Sequence, residues 1–564
     1  LNNNYGDVWT RDGFVSDGID DMMLSTLAGN PNAKFIVALD FNAPQWWCEE
    51  NPGELAALAN STPDRTNASF ASEKWKKEST EIMLQAIDYM MAQSYADQIV
   101  GFKITGGYTL EWNWWATSGV YDDVGDFSQC GIASFRKWLK EKYGTDQALQ
   151  AAYGDSSITL QNAMPPSAAL RSDDYLDTVI TVQDHPQMMD YELYMAQLKA
   201  DTIEYFASVV KNAIQDRLIV GTYGGYFYMG GGYEFTTAVA NVYFQKLLQS
   251  EHIDFIKSPW VYGMRQIGDS AQFMGPVDSL DLYGKLWIVE DDTRLNLQLQ
   301  SAKQDENAAV GWTRDYQESV EILKRNFSYI LSKGMGISFY NLMWNFTDDD
   351  QYYGVIGQMY EEMEKSLCIA SQSTADIAVF VDGESHMLIP YEEETANSIL
   401  HVSVLQEQLE ELGHIGASYD MYLLDDLKDG LVPEHKINIF LATAMITQEE
   451  RAAIESQLQK NGNILVWIFT DGISDGKTTD IALMESLTGM ELSILSTQRQ
   501  HTATAKICNI DHWLTNGMNL NQPYGVETYD KLSPLIGITD RTVTTLAYHT
   551  GTTKVAMAVK DMGN

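Results

Sequence analysis

Cysteine is scarce in this 564-residue chain: Cys48, Cys130, Cys368 and Cys508 lie far apart. With no C-x-x-C pair, a structural zinc site of the usual spacing is excluded. Four cysteines in a chain this long are too few for a disulfide framework. The nine histidines form no i, i+4 pair and no close cluster, so neither a metal nor another cofactor is expected. Basic residues are also sparse. Against 78 Asp and Glu there are 37 Lys and Arg, a net charge of −41 with no basic block. A polyanion needs clustered cations, so neither nucleic acid nor an anionic membrane surface is an expected partner. No apolar run reaches the ~18 residues that span a bilayer. Internal repeats and low-complexity tracts are missing too. The chain opens at Leu1 in a polar stretch and stops at Asn564, just after the strand-like V-A-M-A-V. It reads as a fragment cut at both ends, soluble, and expected in a bacterial cytoplasm or periplasm.

What the chain does contain is a large core. At 45% hydrophobic and 11% aromatic residues it is a folded protein and not an acidic disordered one. Its length suits three to four domains, or fewer if one is a barrel. The first ~370 residues alternate short apolar runs with helical patterns. Lys34–Leu39, Ile99–Thr105, Leu218–Tyr223, Ile253–Ile256, Leu286–Glu290 and Gly336–Asn341 read as six buried strands. Between them, Ser72 caps a helix whose apolar face is Ile82, Met83, Ala86, Ile87 and Met90. Ser128 to Tyr143 is a helix ended by Gly144, and residues from about Tyr191 to Asn212 form another. Uniformly apolar strands separated by helices indicate a parallel sheet covered on both faces. The expected fold is α/β: a (β/α)8 TIM barrel over residues 1–372, lacking its first two strands. An open doubly wound sheet of six strands is the alternative.

A second α/β unit, flavodoxin-like, is expected over residues 373–493. It has strands at Asp376–Val381, Lys436–Leu441 and Asn463–Ile468. A helix at Thr395–Leu412 is ended by Gly413, and another opens on the capping box of Thr447 and Glu450. Residues 494–564 read as a mixed, truncated remainder.

In α/β barrels the chemistry sits at the carboxyl ends of the strands. Leu39 is followed by D-F-N-A-P-Q-W-W, which holds Asn42, Trp46 and Trp47. Thr105 is followed by G-G-Y-T-L-E-W-N-W-W, with Tyr108, Glu111 and Trp112. Tyr223 ends the next strand. Beyond Ile256 come Tyr262 and Arg265. The strand at Leu286 runs into Glu290, Asp292 and Arg294, and Trp344 follows the last. Aromatic platforms with polar neighbours suit a sugar ring, whose C–H faces pack on aromatics while its hydroxyls take the polar groups. Cleaving a glycosidic bond needs two carboxyl groups. Glu111 and Glu290 fall on barrel strands four and seven by counting, so their side chains can converge at the mouth. Set against this, Glu111 is a surface charge, Glu290 a structural ion pair with Arg294, Trp46 and Trp47 core residues, and Asp292 a cap of the next segment. Burying an unpaired carboxylate costs several kcal/mol, so Glu290 at the end of an apolar strand calls for a partner or a role.

Four stretches resemble glycoside hydrolase family 42, the β-galactosidase family. Asn30–Trp47 is similar to its third-strand region. Phe135–Gly154 is similar to the helix after the acid/base strand, and Gly284–Arg294 to the nucleophile strand. Ala375–Phe469 resembles the trimerisation domain that follows the barrel. The resemblance implies a retaining β-glycosidase acting on terminal sugars of oligosaccharides or glycosides, with Glu111 as acid/base and Glu290 as nucleophile. It also implies a homotrimer and a carbohydrate partner. One position departs: the wider clan carries Asn directly before the acid/base Glu, where this chain has Leu110. The rival readings are a non-catalytic carbohydrate-binding protein on a degenerate barrel, and an enzyme working from the flavodoxin-like unit. For the latter, the turn after Leu441 reads A-T-A-M-I without a nucleophilic Cys, and D-G-E-S-H after Val381 is too acidic to cradle phosphate.

Overall fold

The computed structural model describes residues 8–563 apart from 17, 58–62, 114–124, 168–175, 177, 229–241, 298–312, 341–348, 370–371, 390–399, 499–500, 503, 521 and 526–530. Six parallel strands form the first sheet: β1 (Phe35–Asp40), β2 (Ile99–Thr105), β3 (Ile219–Tyr223), β4 (Phe255–Pro259), β5 (Leu286–Asp291) and β6 (Gly336–Phe339). They lie side by side in the order in which they occur in the chain. Phe102 pairs with Val37 on one side and Val220 on the other, and Val289 with Ser258 and Ile337. A doubly wound sheet reverses its strand order at a switch point. No reversal occurs here, so the sheet is a TIM-barrel-like wall and the open alternative falls. Among the described residues the outer edges of β1 and β6 carry no further strand.

Local signals set the helices that cover this wall. Ser72 Oγ accepts the Trp75 amide at 3.1 Å and starts a helix over Glu73–Met91, with Ile82, Met83, Ala86, Ile87 and Met90 all buried. Such a cap is worth about 1 kcal/mol. Ser128 likewise caps Gln129–Tyr143, and Gly144 ends it at φ 72°. A short helix, Asp146–Tyr153, follows, and the helix expected near Tyr191–Asn212 is longer than its periodicity suggests, running Pro186–Ala213.

A second parallel sheet contains β7 (Ile377–Val381), β8 (Tyr419–Leu423), β9 (Ile437–Phe440) and β10 (Ile464–Val466) in the order β8-β7-β9-β10. The strand at Tyr419–Leu423 has no counterpart in the sequence reading, because its mixed Y-D-M-Y-L lacks a continuous apolar run. The capping box at Thr447 forms, with Thr447 N donating to Glu450 Oε2 at 2.7 Å. Gly413 does not end the preceding helix, which continues to His414. Its role is close approach: a Cβ there would lie 2.2 Å from that of Ser270 in the barrel layer. Ile377, Val379 and Val381 share one continuous core with the barrel.

The remainder is an antiparallel sheet. Its strands are β11 (Leu492–Ser496), β12 (Thr504–Ile507), β13 (Pro523–Gly525), β14 (Leu535–Ile538), β15 (Thr544–His549) and β16 (Val555–Val559). They are ordered β11-β14-β16-β15-β12-β13. Ile180 N bonds Leu388 O at 2.8 Å and Ser533 Oγ bonds Leu176 O at 3.1 Å, so the segment around residue 180 ties all three layers together. No helix among the described residues is long and apolar enough to cross a membrane.

Candidate active site

Glu111 stands on the loop after β2, and that loop is strained. Thr109, Leu110 and Trp112 all have φ between 58° and 67°. Non-glycine residues in this region cost of order 1–3 kcal/mol each and persist only where the surroundings impose them. The imposing group is Trp112, which is fully buried, stacked on Phe206 at 5.9 Å and edge-on to Phe70 at 5.9 Å. Asn42 holds the loop's other side: its Oδ1 accepts from Gly107 N at 2.8 Å and its Nδ2 donates to Gly107 O at 2.9 Å. With Trp112 anchored inward and Gly107 clamped, Glu111 accepts a short hydrogen bond from the Tyr226 hydroxyl. Tyr226 is aimed by Gly225, whose φ of 78° and close approach to Trp287 (2.5 Å from a built Cβ) exclude a side chain.

Glu290 is the penultimate residue of β5 and is 9% exposed. Tyr223, at the end of β3, donates its hydroxyl to Glu290 Oε2 at 2.8 Å. Lys257, from β4 between them, places Nζ 2.6 Å from the same oxygen. Glu290 therefore does have a cationic partner, but it is Lys257; no ion pair links it to Arg294 among the described residues. Lys103, on β2, lies with Nζ 3.8 Å from the centre of the Tyr223 ring.

The electrostatics follow from burial. Desolvation pushes the Glu111 carboxyl above its ordinary range, opposed by the Tyr226 and Thr109 hydrogen bonds and reinforced by the charge of Glu290. The two carboxylates thus feel one another. Burial, with repulsion from Lys257, brings the Lys103 amine down to about 7, against the pull of Glu290 and Glu111. Lys199, wholly buried on Pro186–Ala213, is also lowered to about 7 by desolvation, with Glu111 acting against the shift. Burial holds the Tyr223 and Tyr226 phenols far above their normal range, and the adjacent carboxylates add to this.

The other residues singled out from the sequence divide in two. Arg265 pairs with Asp292 at 2.7 Å and lies over the Tyr262 ring at 4.0 Å, both part of the same mouth. The Tyr262 phenol is raised chiefly by burial and also by Asp292, Glu111 and Glu290. Trp47 and Trp112 belong to the hydrophobic core. Trp47 donates its indole N–H to Glu78 at 2.6 Å, so it is no open platform. Trp46 packs edge-on to Trp9 at 6.1 Å, and Asn42 spends both amide atoms on Gly107. Tyr108 is exposed and Arg294 half-buried. Trp344 lies outside the described residues. Sequence reasoning missed Lys103, Lys257, Lys199 and Tyr226. The first two carried a signal: a lysine inside an otherwise apolar strand, in I-V-G-F-K-I-T and D-F-I-K-S-P, either faces a polar interior or finds a partner. Among the described residues no cluster of His, Cys, Asp and Glu suits a metal ion.

A parallel wall in chain order with two carboxylates at its carboxyl end defines a barrel-type α/β protein. No family model matches the sequence, and no curated protein matches it. Solved structures do match by shape. The β-galactosidase of Bacillus circulans sp. alkalophilus superposes with a TM-score of 0.65 at 13% identity, over 98% of this chain and 77% of that one. A catalytic mutant of a family 42 β-galactosidase from G. stearothermophilus gives 0.63 at 12% identity, over 97% and 76%. A polyextremophilic β-galactosidase from the haloarchaeon Halorubrum lacusprofundi gives 0.63 at 13%, over 97% and 78%. The chain has the fold of the family 42 β-galactosidases.

Proposed function

We propose that this protein is a retaining β-glycosidase that removes terminal sugars by double displacement. The observation that carries the reading is the shared anchoring of the two carboxylates. Tyr223 and Tyr226, three residues apart, hydrogen-bond Glu290 and Glu111 respectively. Two carboxyls gripped by one short segment serve one substrate position. Their environments differ in the sense that the chemistry requires. Glu111, raised by burial, keeps its proton for the leaving oxygen. Glu290, beside Lys257 and accepting from Tyr223, attacks the anomeric carbon. Glu111 then deprotonates the water that releases the sugar. The fold neighbours are β-galactosidases, so β-galactosides are the first substrates to test, and self-association through the β7–β10 layer as a homotrimer belongs to the same reading.

The test separates the two glutamates. Glu290→Gln should abolish turnover of every aryl glycoside. Glu111→Ala should still be glycosylated by a dinitrophenyl glycoside, which needs no proton on its leaving group. Its deglycosylation should be slow and be restored by azide with formation of a glycosyl azide. An unchanged ratio between good and poor leaving groups, with no azide effect, removes Glu111 from the acid/base role. Tight sugar binding without turnover of any glycoside would favour the non-catalytic carbohydrate-binding reading.

A further inference from the structure

The barrel interior holds an ammonium that the two-glutamate mechanism does not use. Lys103 sits at the third position before the β2 loop and pairs in register with Gly221 of β3. Gly221 has no side chain, and the Phe255 ring fills that space; the next residue of β3 on the same face is Tyr223. There the lysine Nζ rests 3.8 Å from the ring centre. That ring's own hydroxyl bonds Glu290, so the Lys103 amine stands one phenol ring away from the proposed nucleophile. Lys103 is half-buried, and the charges of Glu111 and Glu290 both act on it. No hydrogen-bond acceptor or carboxylate partner for its Nζ is found among the described residues. The neighbouring cation is already committed, Lys257 to Glu290 at 2.6 Å. An ammonium partly withdrawn from water, with no anion in hydrogen-bond reach, is incompletely compensated. A π face offsets only part of that loss. An anionic group on a ligand would complete the compensation.

We propose that Lys103 is an anion subsite and that the sugar bound beside Glu290 carries an acidic group, either the carboxylate of a uronic acid or a sulfate ester. This rests on the reading of Glu111 and Glu290 as the active site and adds the substrate class. The residues around the amine fit the assignment. Tyr223 supplies an aromatic face and not a competing acceptor. The nearby carboxylates are held away by their own partners, Glu290 by Lys257 and Tyr223, Glu111 by Tyr226. An ammonium is a compact point charge with three donors and serves a carboxylate or a sulfate equally, so the source of the anion is a matter for experiment.

Calorimetric titration of the whole chain with D-galactose, D-galacturonate and D-galactose 6-sulfate decides it, using the unmodified protein, Lys103→Met and Lys103→Arg. The unmodified protein should bind at least one of the two acidic sugars ten-fold or more tighter than galactose. Whichever acidic sugar shows the gain identifies the source. Lys103→Met should close that gap, and Lys103→Arg should restore part of it. Equal affinity for neutral and acidic sugars in the unmodified protein overturns the proposal, as does a gap that survives Lys103→Met. Because the first comparison needs no variant, a Lys103→Met protein that fails to fold leaves the test intact. Hydrolysis of aryl β-galactoside and aryl β-galacturonide is followed in parallel. Lys103-dependent binding without any hydrolysis would uphold the subsite and refute the glycosidase reading. Hydrolysis of both at equal kcat/KM would do the opposite.

Discussion

Lys257 Nζ stands 2.6 Å from Glu290 Oε2, reaching across from the adjacent strand. Both side chains are largely buried, so this is an ion pair whose desolvation is met by close contact and by the extra hydrogen bond from Tyr223. Its placement on the proposed nucleophile makes the pair a positioning device, and breaking it has a calculable consequence.

Lys257→Met would leave the Glu290 carboxylate buried without its cation. Removing one member of such a pair costs about 3–5 kcal/mol. Urea unfolding should register most of that loss, and kcat/KM for aryl glycosides should fall by about ten-fold or more as the carboxylate loses its anchor. A variant of unchanged stability and activity would show that Lys257 does not position Glu290.

Tyr226→Phe should move the alkaline limb of the kcat/KM profile to higher pH. The Tyr226 hydroxyl donates to the charged form of Glu111 and so opposes the upward shift that burial imposes. Without it the proton is held more tightly and the acid stays competent at higher pH. Glu111→Gln removes the titrating group, and the limb should vanish.

Binding of an acidic sugar should weaken as pH rises through about 7, where Lys103 loses its charge. The groups facing it are Tyr223, Lys257, Glu290 and Glu111. Of these, Glu111 contributes in the same direction, since it is uncharged at low pH and repels the anion only once ionised. Lys103→Met should flatten the profile to the part that Glu111 carries. A profile unchanged by that substitution assigns the pH dependence to Glu111 alone.

Lys333 joins the barrel to the second layer. Its Nζ lies 2.8 Å from Asp278 Oδ1 and 3.1 Å from Asp420 Oδ1. Lys333→Met leaves two buried carboxylates facing each other, and a loss of about 3 kcal/mol or more is expected. Replacing Asp278 by Asn in the same chain should recover part of it. Thermal unfolding of the single and double variants measures both.

Light scattering on the chain should return a mass three times that of the monomer, and alterations on the exposed face of the β7–β10 layer should lower it. A monomer at micromolar concentration would count against the homotrimer.

The sequence by itself determined the elements and their type. Ser72, Ser128, Thr447 and Gly144 mark helix ends through contacts within four residues, and the apolar runs of β1 to β5 declare buried strands without reference to any partner. It also marked Glu290, because a carboxylate ending an apolar strand has no local reason to be there. Tertiary structure decided the rest. Chain-order pairing, which separates a barrel wall from a doubly wound sheet, is a relation between strands and leaves no trace in any one of them. The anchors of the two carboxylates come from 67 and 115 residues away, through Tyr223 and Tyr226, and Glu290 takes its cation from β4 and not from nearby Arg294. Trp47 and Trp112 look like sugar platforms in a linear reading; the helix at Glu73–Met91 holds the first through Glu78, and the strained loop after β2 turns the second onto Phe206, so both are core. Propensity and capping act over a few residues, whereas which side chain faces the barrel mouth depends on strand adjacency and on what fills the space behind.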